Sequence, residues 1–132
     1  MVFLDANVPM YVIGAEHPNK ALAATILRRL ALDGERTCTD VEVFQEILHR
    51  YTAIRRNEAI PIAFELLDQN VDEVFPIDRS LIEEAKNIVL AYPGLSARDA
   101  IHVAVLRSNG IRRIVSFDEG FDAVAGIERI FA

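Results

Sequence analysis

The chain of 132 residues has a single cysteine, Cys38, so no disulfide can close within it and no zinc–thiolate cluster can form. In "RTCTD", between an expected strand and a helix start, that cysteine reads as a small buried hydrophobe. Lysine is scarce as well. Two Lys stand against twelve Arg, and the formal net charge is −6, which argues against a uniformly basic surface that coats nucleic acid. No apolar run approaches the roughly 18–20 residues of a membrane span. Asp5 interrupts the only apolar stretch near the N-terminus, so a signal peptide is not expected, and a soluble cytoplasmic protein without membrane association is. Gly-rich phosphate loops and dinucleotide fingerprints are missing after the first strand, where "DANVPM" stands instead. A G-x-S-x-G elbow for a hydrolase serine is absent too. His17, His49 and His102 are not spaced as a zinc pair.

What the chain does have is the composition of a globular protein, 52% hydrophobic and 26% charged, at a length that suits one domain over residues 1–132. Its arginine pairs, Arg28-Arg29, Arg55-Arg56 and Arg112-Arg113, could fork onto phosphates. They read more simply as solvated faces that pair with the many glutamates.

Short apolar strands alternate with helical segments from end to end. "VFL" is a strand ending at Asp5, and Pro9 suits the first turn of a helix reaching about Gly14. Helices are expected over about 19–32, over "TDVEVFQEILHRYTAIR" with Thr39 and Glu42 as its capping box, over 57–69, over "DRSLIEEAKNIVLAY" and over "SARDAIHVAVLRSNG". Between them "ERTCT", "EVFPI", "RRIVSFD" and "IERIF" carry strands, and "EGFDAVAG" a turn or short helix. This alternation predicts an α/β domain, with a mostly parallel sheet covered by helices on both faces.

Several acids sit in awkward places. Asp5 and Asp118 end strands, on the sheet edge where open parallel sheets bind ligands, although either alone reads more simply as a helix cap. Asp99 lies in the first turn of a helix apolar around most of its circumference, and a carboxylate there is costly unless paired, hydrogen-bonded or bound to a metal. The spacing Ser96 to Asp99 also fits a capping box. Glu42 and Glu46, on the same helix, are equally good further candidates. If such acids converge, their like charges raise one another's pKa, and a divalent cation is the usual compensation. Oxygen ligands without a thiolate favour Mg²⁺ or Mn²⁺ over zinc. His102, three residues after Asp99, reads as a satisfied core histidine, with tuning of Asp99 as the second reading.

Together, "FLDAN", "EVFQEILHRY", "ARDAIHVAVL" and "IVSFDEGFD", in this order over nearly the whole chain, resemble the PIN-domain ribonucleases, above all the VapC-type toxins of toxin–antitoxin pairs. The resemblance implies that Asp5, Glu46, Asp99 and Asp118 are the catalytic acids, which selects Glu46 over Glu42. It implies Asp5, Asp99 and Asp118 as metal ligands, with Asn7, Ser116 and Asp122 in support. Many relatives carry Ser or Thr where Asn7 stands, and an amide there can still hydrogen-bond a carboxylate. An α/β/α sandwich, a homodimer, Mg²⁺- or Mn²⁺-dependent RNA cleavage and a VapB-like antitoxin partner are implied as well. Arg98, Arg50 or Arg113 would then steer the RNA backbone. Three other readings compete: a phosphatase or DNA nuclease of similar architecture, a catalytically idle interaction module using the faces of the 19–32 and 57–69 helices, and a phosphoacceptor signalling domain. The last fits poorly, since only Lys20 and Lys86 could serve it.

Overall fold

The computed structural model describes residues 1–131. Five strands, β1 (Val2–Leu4), β2 (Thr37–Asp40), β3 (Glu73–Phe75), β4 (Arg113–Val115) and β5 (Glu128–Ile130), form one sheet in the order β3-β2-β1-β4-β5. Every pairing is parallel. All strands therefore point their carboxyl ends at one rim.

Six helices cover the sheet: α1 (Asn7–Ile13), α2 (Pro18–Leu32), α3 (Val41–Ala53), α4 (Ala59–Asn70), α5 (Arg79–Ala91) and α6 (Ala97–Ser108). A 3-10 turn, Glu119–Ala123, precedes β5. The period-two alternation of β1 divides the core. Phe3 and Cys38 face α3, α4, α5 and α6, whereas Val2 and Leu4 face Val8 of α1 and Ala23, Ile26 and Leu30 of α2. The result is the expected α/β/α sandwich. Cys38 is fully buried, and burial pushes its thiol up to about 12, as befits a hydrophobe rather than a nucleophile.

Local chemistry explains most boundaries. Pro18 occupies the first position of α2, where its missing N–H is no loss, and the His17 side chain accepts from Asn19 N–H. Asp78 caps α5 and Ser96 caps α6. β3 stops before Pro76, which has no N–H to give the ladder, so it is shorter than "EVFPI" suggests. One expectation is overturned. Thr39 does not cap α3, because it is the third residue of β2, fully buried, with its hydroxyl donated to the Leu4 carbonyl at 2.9 Å. Asp40 is the cap, its Oδ1 accepting from Val43 N–H at 2.9 Å. Among the described residues no helix is long and apolar enough to cross a membrane.

Candidate active site

β1 is the centre of the sheet, with β2 on one side and β4 on the other. The chain winds outward from it in both directions, which opens a crevice beyond the carboxyl ends of β1 and β4. Asp5, the residue after β1, stands at its base, 3% exposed. Its N–H continues the ladder to the Val115 carbonyl, which fixes its backbone. Its Oδ1 accepts from Ala6 N–H at 2.8 Å, and its Oδ2 accepts the Ser116 hydroxyl at 2.6 Å.

Helices deliver the other acids to this point. α3 begins directly after β2 and projects Glu46 inward from its second turn. α6 brings Asp99 in its first turn, where the Ser96 hydroxyl accepts from Asp99 N–H at 3.1 Å. The capping half of that motif is therefore real. The Asp99 carboxyl, however, turns into the crevice, close to that of Asp118. Asp5, Glu46, Asp99 and His102 each present a donor atom, all within 4.8 Å of one another. Glu42 stands apart, 3.6 Å from Arg98. Asp118 is exposed at the rim, outside the compact group, with its Oδ1 accepting from Gly120 N–H at 2.8 Å. A Cβ at position 120 would lie 3.1 Å from that oxygen, so glycine permits the close turn.

The residue that sequence reasoning missed is Asp40. It is fully buried, and its second oxygen lies 2.7 Å from Nδ1 of His102. Nε2 of the same ring lies 2.8 Å from Glu46 and 3.7 Å from Asp5. His102 is thus a satisfied core histidine, as its sequence context indicates, but its hydrogen-bond partners are Asp40 and Glu46 rather than Asp99. An acid directly before the α3 helix was the available signal for Asp40. It was masked by Thr39, an equally good cap type one residue earlier.

Burial dominates the electrostatics. Burial alone would push the His102 imidazole down, yet its hydrogen bonds to Asp40 and Glu46 and the nearby Asp5 charge hold it well above the usual histidine value. Asp99 is pushed up to about 8, first by burial, then by the hydrogen bond with Asp118 and the charge of Asp5. Asp5 is raised too, by burial, although His102 and the Ser116 hydrogen bond oppose the rise. Burial first, and the crowding of like charges second, therefore favour the protonated carboxyls in the crevice. Oxygen-rich donors at this spacing can hold a divalent metal ion.

The supporting residues divide. Asn7 donates through Nδ2 to Asp5 and to Ser116, both at 3.3 Å, and its Oδ1 accepts from Phe117 N–H. The Ser116 hydroxyl also accepts from Asp118 N–H at 3.0 Å, so it ties both strand-end acids together. Asp122 is turned elsewhere, held by both arms of the Arg129 guanidinium at 2.9 Å. Arg113 is at the opposite rim, 2.7 Å from Glu35, because it begins β4 whereas the crevice lies past the end of that strand, so it does not border the crevice. Arg50 does border the site. With Asn7, Tyr11, His17 and Arg56 it lines a cleft of about 550 Å³ beside the crevice.

Sequence and structure comparisons place this geometry. The PIN domain family profile matches residues 2–127. Ribonuclease VapC13 of Mycobacterium tuberculosis is 50% identical over 130 residues, covering 98% of this chain and 99% of that protein. The crystal structure of Mycobacterium tuberculosis VapC20, a Sarcin-Ricin loop cleaving toxin, superposes with a TM-score of 0.81 over 100% of both chains at 23% identity. That of VapBC2 from Rickettsia felis, bound to a DNA fragment from its promoter, gives 0.73 over 98% of both chains at 14% identity. A parallel sheet with its acids gathered at one rim, together with half-identity to a VapC along its whole length, establishes the family: the chain belongs to the PIN-domain proteins, among the VapC-type ribonucleases.

Proposed function

We propose that residues 1–132 form a single PIN-like nuclease domain, a Mg²⁺- or Mn²⁺-dependent endoribonuclease that is the toxin of a VapBC-type pair. The observation that carries this reading is the convergence of Asp5, Glu46 and Asp99, from three separate elements, within 4.8 Å. Half-identity to a protein named Ribonuclease VapC13 supports RNA as the substrate, and the likeness to VapBC2 supports a VapB-like antitoxin as partner. A homodimer working in the cytoplasm completes the proposal.

Asp5, Asp99 and Asp118 are assigned as the metal ligands, with Glu46 completing the acidic wall. The chemistry a divalent cation supplies in such a site is acidification of water and neutralisation of charge building on the scissile phosphate. The protonated Asp99 and the raised Asp5 fit this assignment, since a cation can take the place of the retained protons. The protein's own residues do the rest. Ser116 and Asn7 hold Asp5 in one orientation. Glu46, part-exposed at the crevice, is the carboxylate best placed to take a proton from an attacking water. Arg50 and Arg98 stand at the margins to meet the backbone phosphates.

The test is cleavage of a mixed cellular RNA pool by purified protein with Mg²⁺, with Mn²⁺ and with EDTA, beside an Asp5→Asn/Asp99→Asn control. DNA and small phosphoesters run under the same metals. Metal-dependent cutting of RNA, lost in the control, is expected. Cutting of DNA or phosphoesters alone would move the substrate assignment, and folded protein that binds no metal would overturn the mechanism.

A further inference from the structure

Glu46 has one hydrogen-bond partner among the described residues, Nε2 of His102 at 2.8 Å. Its three rotatable bonds would otherwise let the carboxylate swing toward solvent. The ring that holds it is itself held. His102 is fully buried, tilted against Phe3 with centroids 5.3 Å apart, and its Nδ1 lies 2.7 Å from Asp40. Both ring nitrogens face carboxylate oxygens, so with both carboxylates ionised the ring donates at both ends. Asp40 in turn has no freedom, because its other oxygen accepts from Val43 N–H in the first turn of α3. The start of α3 is thereby braced through α6 to a side chain further along α3. None of this contact is needed to fill the core, which could take an apolar side chain in place of the ring and a neutral cap in place of Asp40.

We propose that Asp40 and His102 are a positioning pair for the reaction: Asp40 fixes the ring, and the ring fixes the Glu46 carboxylate toward Asp5 and Asp99. This rests on the nuclease reading for its kinetic consequence but not for its geometry.

The experiment combines a mutant cycle with a spectroscopic readout on the metal-free protein. Asp40→Asn keeps the cap acceptor while removing the charged partner of Nδ1. His102→Leu removes the ring, and His102→Gln restores an amide donor at about the reach of Nε2. Wild type cleaving RNA in Mg²⁺ sets the reference. Asp40→Asn and His102→Leu are expected to lower kcat by about 10–100-fold with KM for RNA unchanged. His102→Gln should recover part of that loss. In a Glu46→Ala background, His102→Leu should cause no further loss, since the ring acts through the missing group. Independent, multiplying losses would overturn the proposal and point to His102 as a ligand. Unchanged kcat in folded Asp40→Asn would overturn it as well. If His102→Leu does not fold, Asp40→Asn with Glu46→Ala completes the same cycle. Proton NMR of the ring judges the pairing even if no RNA is cut. Two slowly exchanging ring N–H protons are expected, one lost in Asp40→Asn and the other in Glu46→Ala; their absence from wild type would overturn the pairing, whereas an inactive wild type would overturn only the nuclease reading.

Discussion

Glu35 and Glu46 are the same side chain, each within 2.8 Å of a nitrogen, at opposite ends of one sheet. Glu35 meets Arg113 one to one on a part-exposed surface, and that hydrogen bond holds its carboxyl below the usual range. Glu46 meets His102, but Asp40 and Asp5 draw on the same ring, and Asp99 lies beside them. At the first end, charge is matched locally and the pair is ordinary surface structure. At the second, several carboxylates share one buried imidazole, and burial raises the pKa of those around it. An unmatched charge in a crevice is a standing demand for a cation; a matched one at the surface is not.

The strongest way to break this contrast is Asp5→Asn. Cleavage should fall by more than the roughly 10–100-fold typical of groups outside the ligand shell, while the metal-free melting temperature holds or rises, because a buried carboxylate has been neutralised. A marked drop in melting temperature would show that Asp5 is there to hold the fold together.

Next in size is a pH effect with a defined sign. Asp99 titrates at about 8 in the folded chain against an ordinary 3.8, so the folded state binds the extra proton between those values. His102 is likewise raised above 6.5. Both contributions are complete at low pH and are lost as pH rises, Asp99 from about 4 to 8 and His102 from 6.5 upward. Metal-free protein should therefore melt progressively lower from pH 5 to pH 9, and saturating Mg²⁺ should flatten the curve. A flat metal-free curve would mean that the crevice holds no excess protons.

Ser96→Ala should cost about 1 kcal/mol through the lost cap of α6. It should also lower cleavage modestly, since the same turn seats Asp99. Smallest of all is Glu35→Gln. Denaturant melts should move by about 1 kcal/mol or less, with cleavage unchanged, because only a surface pair is lost.

The parts of this design legible in the sequence are those written in neighbouring residues. "VFLD" announces a buried strand with an acid at its end, and "SARDAIHVAVL" announces a capped, buried helix with an acid in its first turn. The strand order is not local, and neither is the bracing of His102, whose partners lie 62 and 56 positions away. Side-by-side cap residues hid Asp40, since only the register of β2 decides that Thr39 faces inward toward Leu4 and Asp40 is left to start the helix. Periodicity likewise left Glu42 and Glu46 undecided. Arg98 beside one and His102 beside the other separate them in space.

The central place of β1 has a consequence for synthesis. β1 needs a neighbour made long after it: Asp5 waits for the hydroxyl of Ser116, 111 positions on, and for the β4 backbone beside it. At roughly 5–20 residues per second, that interval is on the order of ten seconds. Throughout it, a ribosome-bound chain carries the first acid with neither the orienting hydroxyl nor the Asp118 rim of the crevice. The crevice is thus latent until β4 has been made and has paired with β1.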